Sequence, residues 1–194
     1  DYNVVTNAWH YAALKQMEGI AGALGKQDDV AFYASESDAF KKRFIRSFFD
    51  VRKGYFTDGL AADTDHASLH GNMFPLAFDL VPAGKKQNVV DFIQTRGMAC
   101  SVYGSQFLMD ALYEANDAEY ALHMLTKTDD RSWYNMIRVG STISLEAWDN
   151  KYKPNQDWNH AWGAAPANII PRRLMGVEPL TPGFGTARIK PQLA

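Results

Sequence analysis

The chain of 194 residues has little cysteine, little net charge and no long apolar run. Its single cysteine, Cys100, excludes an intrachain disulfide and a zinc site built on cysteines, so cysteine usage does not identify a cellular compartment. The formal net charge of −2 provides no electrostatic basis for binding nucleic acid or an anionic membrane. Because no apolar run approaches the roughly 20 residues of a membrane span, we expect neither a transmembrane helix nor a membrane partner.

Motifs for phosphate binding, nucleophilic catalysis and metal binding are also missing. The chain has no glycine-rich phosphate loop and no G-x-S-x-G element, and Cys100 has no evident activating partner, so we expect it to be buried. Residues 63–70, DTDHASLH, mix aspartate and histidine, but their spacing is neither that of H-E-x-x-H nor that of an EF-hand loop. We therefore expect a loop leading into a helix here, no metal and no cofactor.

Aromatic residues, in contrast, are abundant at 13% of the chain, with five Trp, nine Tyr and eleven Phe. Such side chains fill cores, and they also line sugar-binding clefts, because the apolar C–H faces of a pyranose stack on flat rings. Hydrophobic residues at 46% and charged residues at 22% are typical of a globular domain with a substantial core. The composition is therefore compatible with a carbohydrate-binding domain.

Apolar residues at helical spacing predict a series of helices along most of the chain. The predicted elements are helices at 4–24, 28–48, 66–80, 85–95, 104–115, after Asp117, 132–137 and 158–175, with a turn or hairpin-like loop at 54–59 and an extended segment at 142–148. We expect Gly25 to end the first helix and Asp28 to cap the second. Pro166 and Pro171 should bend the last one.

Helical hairpins in series, with loops concentrated at one end, predict an all-α fold of the toroid or solenoid kind rather than a compact bundle. We assign residues 1–176 to this helical body and residues 177–194 to a short extended tail that leads toward a β domain. The chain opens with DYNVVTNAWHYAA, without an initiator methionine, and closes with ARIKPQLA, so both ends read as cut. We expect an internal or processed piece of a longer protein.

Residues 141–166, STISLEAWDNKYKPNQDWNHAWGAAP, combine three tryptophans with acidic, amide and imidazole side chains. Glu146 stands out because a carboxylate beside a tryptophan can serve as a general base once its surroundings fix its orientation. The alternative is a partly exposed glutamate that pairs with a nearby lysine or arginine, since structural ion pairs are common.

His160 lies in NQDWNHAWG, at the expected start of the last helix, where an imidazole can donate a hydrogen bond to a substrate hydroxyl. A histidine between tryptophans can equally be a half-buried structural residue. Trp148, Trp158 and Trp162 offer flat rings for a sugar, although we expect at least one of them in the core. We expect Glu146 and His160 to project into one concave surface.

Together, SLEAWD and NQDWNHAWGAAPANIIPRRLMGVEPLTPGF resemble the C-terminal half of the catalytic domain of bacterial α-L-rhamnosidases, glycoside hydrolase family 78. The matching positions are Thr142, Glu146 and Trp148 for a T-T-x-W-E-x-W-like element, Asn159, His160 and Gly163 for N-H-x-x-x-G, and Gly176 with 182–184 for G-I-x-P-x-x-P-G-F. Leu145 departs from this pattern, because the family usually has a tryptophan there. Weaker similarity extends over nearly the whole chain.

The resemblance implies part of an (α/α)6 barrel and an inverting hydrolysis, in which an acid protonates the leaving oxygen and a carboxylate activates water. It implies that Glu146 is the general base, that His160 and Trp148 bind the sugar, and that the substrate is terminal α-L-rhamnose on a glycoside or polysaccharide. The family's general acid lies upstream, so the implied partners are the rest of the polypeptide or copies of this chain. A periplasmic or secreted bacterial location is expected.

Two other functions stay open at this point. A trehalase-like or glucoamylase-like hydrolase shares the barrel and the paired carboxylates, so the fold alone does not separate it, although N-H-x-x-x-G favours the rhamnosidase. A noncatalytic carbohydrate-binding fragment would have the same fold without a working acid.

Overall fold

The structure, a computed structural model, describes residues 2–193 and divides into two compact units, Asp1–Ile93 and Gln94–Ala194. Its helices are α1 (Val4–Ala23), α2 (Gln27–Phe48), α3 (His70–Ala77), α4 (Lys86–Arg96), α5 (Gly104–Glu114), α6 (Ala118–Thr126), α7 (Trp133–Arg138) and α8 (Ala165–Ile169). Two hairpins pair β1 (Phe49–Asp50) with β2 (Tyr55–Phe56) and β3 (Val177–Pro179) with β4 (Ala187–Ile189). The predominance of helices confirms the predicted all-α class. No helix among these residues is both long and apolar enough to cross a membrane.

The first unit is built on the hairpin of α1 and α2, which pack along each other. α1 is capped by Asn3, whose Oδ1 accepts the amide of Thr6 at 3.0 Å, and it stops before Gly25, whose φ of 71° favours glycine. The first predicted helix is therefore confirmed. α2 has no side-chain cap, so the prediction that Asp28 caps it is wrong. Asp28 lies inside the first turn instead, where its charge favours the helix N-terminus.

Phenylalanine rings form much of the core of this unit. The ring of Phe44 lies 5.0 Å from that of Phe48 and 5.5 Å from that of Phe56. The β1–β2 hairpin pairs Phe49 with Phe56. A hairpin-like loop was predicted at 54–59. The hairpin exists, but these residues form mainly β2 and the chain after it, and the turn lies before β2, at 51–54.

Asp58 holds the loop before α3. Its Oδ1 accepts the amide and the hydroxyl of Ser68 at 3.0 and 2.8 Å, and its Oδ2 lies 2.6 Å from Nδ1 of His66. These bonds hold the chain in a loop, so α3 begins at His70. The predicted start at His66 is wrong. DTDHASLH is thus a loop leading into a helix, as expected. Within residues 2–193, no three His, Cys, Asp or Glu side chains are grouped to hold a metal ion.

The second unit contains the hairpin of α5 and α6, and α5 also packs against α8. Oδ1 of Asp117 accepts the amide of Tyr120 at 3.4 Å, so α6 begins after Asp117 as predicted. Oγ of Ser132 accepts the amide of Asn135 at 3.0 Å and caps α7 in the same way. These local caps place the loops that carry the candidate site.

The last predicted helix, 158–175, is broken into three pieces. A short 3-10 helix (Ala161–Gly163), α8 and a π-helical turn (Ile170–Leu174) follow one another. Pro171 has no N–H with which to continue the α-helical bonding pattern, which accounts for the change after α8. His160 lies outside these helices because its N–H bonds to the carbonyl of Ser144 at 2.9 Å.

The residues after Gly176 fold back on themselves. β3 and β4 pair antiparallel, so the tail predicted to be extended at 177–194 is mainly a β-hairpin. Gly176 begins it with a φ of 69°, and a Cβ at this position would lie 1.9 Å from the carbonyl oxygen of Lys190, so only glycine fits. That this tail leads toward a β domain stays a prediction.

Candidate functional site

Two segments of the second unit lie side by side and carry Glu146 and His160. The N–H of His160 bonds to the carbonyl of Ser144 at 2.9 Å, and the Ser144 hydroxyl donates to the His160 carbonyl at 2.6 Å. The N–H of Glu146 bonds to the carbonyl of Asp157 at 3.1 Å. Residues 142–148, predicted to be extended, form bends instead of a strand, and this pairing brings the two candidate residues together.

Both carboxylate oxygens of Glu146 have partners. Oε1 forms an ion pair with Nζ of Lys153, and Oε2 accepts the amide N–H of Asp157 at 3.1 Å. The Lys153 bond first, and the Asp157 amide next, lower the pKa of Glu146, and the nearby His160 also contributes. With 18% of its side chain exposed, Glu146 is therefore an oriented and ionised carboxylate that water can still reach.

An aromatic cluster of Tyr103, His160 and Trp162 lies beside this carboxylate. The ring centroids of Tyr103 and His160 are 5.3 Å apart, and those of His160 and Trp162 are 5.6 Å apart. Partial burial, followed by the charge of Glu146, raises the pKa of the Tyr103 phenol. Trp162 is 78% exposed and presents an open ring. The cluster thus combines a flat apolar face with an imidazole and a neutral hydroxyl.

Trp148 does not belong to this surface. It is 3% exposed, its indole N–H donates to the carbonyl of Cys100 at 2.8 Å, and its ring meets Trp133 edge to face at 5.2 Å. A ring covered in this way has no face for a sugar, so we correct the predicted substrate-binding role of Trp148 to a structural one. Leu145, which departs from the T-T-x-W-E-x-W-like pattern, is also fully buried.

Cys100 is buried, as expected, and burial raises the pKa of its thiol to about 12. Its side chain is therefore a neutral thiol, and its carbonyl anchors Trp148. This anchor ties the loop before α5 to the loop that carries Glu146.

Gly163 packs closely against Val102 and against the segment that carries Glu146. A Cβ here would lie 2.7 Å from Cγ1 of Val102, 2.9 Å from Cβ of Ser144 and 3.0 Å from the carbonyl oxygen of Leu145. We expect Gly163→Ala to displace the 144–146 segment and to lower the free energy of unfolding by about 1–3 kcal/mol. Urea unfolding measures this loss. Gly19→Ala is the control, because nothing lies near that position in α1, and it should not destabilise. Equal stability of the two variants would contradict the proposed crowding.

A general acid would need a carboxyl group whose pKa is raised, so that it holds a proton at neutral pH. Among the described residues, every carboxyl group whose pKa is shifted has a lowered pKa. These groups belong to Asp50, Asp65, Asp130, Glu146 and Asp149. Asp149, for example, accepts the Asn135 amide at 2.8 Å and the Lys151 N–H at 3.0 Å. These groups are suited to stay ionised and not to donate a proton.

A surface cavity of about 540 Å³ lies elsewhere in the second unit. It is lined by residues 94–99, Lys127, residues 129–131 and Tyr152, and neither Glu146 nor His160 contributes to it. The two candidate residues are neighbours, but the concave surface that we expected them to share stays a prediction.

Two residues of the candidate site, Lys153 and Tyr103, are not indicated by the sequence. Lys153 follows Glu146 by seven residues, but nothing in the sequence distinguishes it from Lys151, two residues earlier, as the partner. Tyr103 lies far upstream and belongs to no motif. Trp162, in contrast, is one of the three tryptophans that the sequence offers for a sugar, and only its exposure separates it from Trp148.

Comparisons with known proteins identify the family of this chain. The model of the bacterial alpha-L-rhamnosidase 6 hairpin glycosidase domain matches residues 1–174. An alpha-L-rhamnosidase of Alteromonas sp. (strain LOR) is 26% identical over 212 residues, covering 100% of this chain and 22% of the relative. The chain therefore spans about a fifth of the length of this relative.

Solved α-L-rhamnosidases share the fold. The enzyme from Dictyoglumus thermophilum superposes with a TM-score of 0.81 at 21% identity, over 95% of this chain and 21% of that one. The Streptomyces avermitilis enzyme, solved with L-rhamnose, gives a TM-score of 0.76 at 21% identity, over 97% of this chain and 18% of that one. With the family model matching 174 of 194 positions, the chain belongs to the bacterial α-L-rhamnosidase six-hairpin glycosidase domain family.

Proposed function

We propose that this chain is part of an inverting α-L-rhamnosidase in which Glu146 is the general base and His160 binds the sugar. The observation that carries the proposal is the ionised Glu146 carboxylate, oriented by Lys153 and the Asp157 amide, next to His160. The relatives bear the name α-L-rhamnosidase, and one was solved with L-rhamnose. Since the chain spans about a fifth of their length, the activity belongs to a longer enzyme.

In this mechanism Glu146 accepts a proton from a water molecule while the water oxygen attacks the anomeric carbon. A base must be ionised to do this, and the lowered pKa of Glu146 meets the requirement. On the opposite side of the glycosidic bond, a carboxylic acid protonates the leaving oxygen, with about 6.5–9.5 Å between the two carboxyl groups. We assign that acid to another part of the enzyme.

The aromatic cluster is suited to hold the sugar. The exposed ring of Trp162 can stack on the apolar face of a pyranose, as we had expected of a tryptophan in this segment. The His160 imidazole, beside it, can exchange hydrogen bonds with a ring hydroxyl. Trp162 therefore replaces Trp148 in the proposed subsite.

A substrate panel tests the proposal with the whole enzyme that contains this chain. We expect hydrolysis of a chromogenic α-L-rhamnoside and none of the α-D-glucoside or trehalose. Proton NMR of the fresh product should show the inverted β-anomer first, because water attacks from the face opposite the leaving group. Initial release of the α-anomer would overturn the inverting mechanism. Failure on every glycoside, with sugar binding retained, would favour the noncatalytic alternative.

A further inference from the structure

The ion pair between Lys153 and Glu146 has a place in the proposed reaction. We propose that Lys153 is a positioning residue, which fixes the orientation of the Glu146 carboxylate and keeps it ionised under acidic conditions. The inference rests on the proposed role of Glu146 as the base. Lys153 does not need to touch the sugar or the attacking water.

The loop that carries Lys153 is tied back to the chain beside Glu146. The carbonyl of Lys153 accepts the N–H of Gln156 at 3.1 Å, and Oε1 of Gln156 accepts the N–H of Ala147 at 2.9 Å. The next residue, Asp157, donates its N–H to Glu146. One short turn therefore supplies both the ammonium group and the backbone amide that bind the carboxylate, and the positions of these two groups are linked.

Among the charged groups around Glu146, Lys153 is the cation with the largest effect on the carboxylate. The other titratable groups nearby are the neutral phenol of Tyr103, the imidazole of His160 and the carboxylate of Asp157, whose Oδ2 lies 3.7 Å from Nδ1 of His160. In return, the bond to Glu146 raises the pKa of Lys153. Without this ammonium group, Glu146 would keep the Asp157 amide but would lose its counter-charge.

The experiment replaces Lys153 with methionine in the whole enzyme and measures kcat and KM on a chromogenic rhamnoside across pH. The acid limb of kcat/KM should move to higher pH, because an unpaired Glu146 takes up a proton more readily. At the plateau, kcat should fall about ten- to a hundredfold through lost orientation, since small misplacements of a reacting group have effects of this size. KM should change little.

Two matched variants separate this role from a general effect of loop charge or folding. Lys151→Met removes a lysine of the same loop that pairs with Asp130 and lies over the ring of Tyr152, and it should keep the wild-type acid limb. Lys153→Arg keeps the charge and should also retain the wild-type limb. If Lys153→Met does not fold, Lys153→Arg tests the proposal alone. An acid limb of kcat/KM that moves to higher pH in Lys153→Arg would overturn it.

The outcomes distinguish this inference from the proposed function. A wild-type limb and rate in Lys153→Met, together with an inactive Glu146→Gln, would overturn the role of Lys153 alone. An active Glu146→Gln would show that Glu146 is not the base, and this result would overturn both proposals. An equal shift in Lys151→Met and Lys153→Met would show that the charge of the loop, and not the ion pair, sets the limb.

Discussion

Replacing Glu146 with glutamine in the whole enzyme is expected to lower kcat about 10²–10⁴-fold, the usual contribution of a general base. The amide has nearly the same shape as the carboxylate, and its oxygen can still accept the Asp157 N–H. It cannot, however, take a proton from water. The fold and substrate binding should therefore survive, which thermal unfolding and a Kd for L-rhamnose would show.

Glu119→Gln is a matched control for this experiment. Glu119 lies exposed in the first turn of α6, outside the segments that carry the candidate site, and its replacement should leave kcat unchanged. Turnover of Glu146→Gln close to that of the control would show that another residue activates the water. Loss of rhamnose binding together with turnover would instead give Glu146 a binding role.

Residues 1–194 expressed alone are expected to hydrolyse no α-L-rhamnoside above the blank. An inverting site needs two carboxyl groups in different protonation states, and we have assigned the acid to another part of the enzyme. Large apolar side chains of the first unit are also exposed, namely Met17, Ile20, Leu24 and Phe32. We expect them to be covered by the rest of the polypeptide or by a second copy.

Size-exclusion chromatography and a chromogenic assay test this expectation together. The isolated chain should self-associate, and co-expression with the remaining part of the enzyme should restore turnover. A monomer with robust activity would mean that the acid lies within this chain. Asp157, which is exposed beside Glu146, would then be the first residue to replace, ahead of Asp63, Asp65 and Asp149.

The helices that the sequence predicted well are those whose ends depend on their own residues. α1 lies between a capping Asn3 and Gly25, and α6 follows the side chain of Asp117. Such signals act within a few residues, so they are readable without the fold. α3 was misplaced because Asp58, which holds the preceding loop, lies outside the window in which helical spacing is read.

Sequence alone determined the family, the helical class and the pairing of Glu146 with His160 as candidates, because these depend on residue types at fixed spacing. Tertiary structure decided which tryptophan is exposed, since the burial of Trp148 depends on Cys100 and Trp133 from distant segments. It also decided which lysine pairs with Glu146. Residues 151 and 153 carry the same side chain, and only the path of the turn brings one ammonium group, and not the other, to the carboxylate.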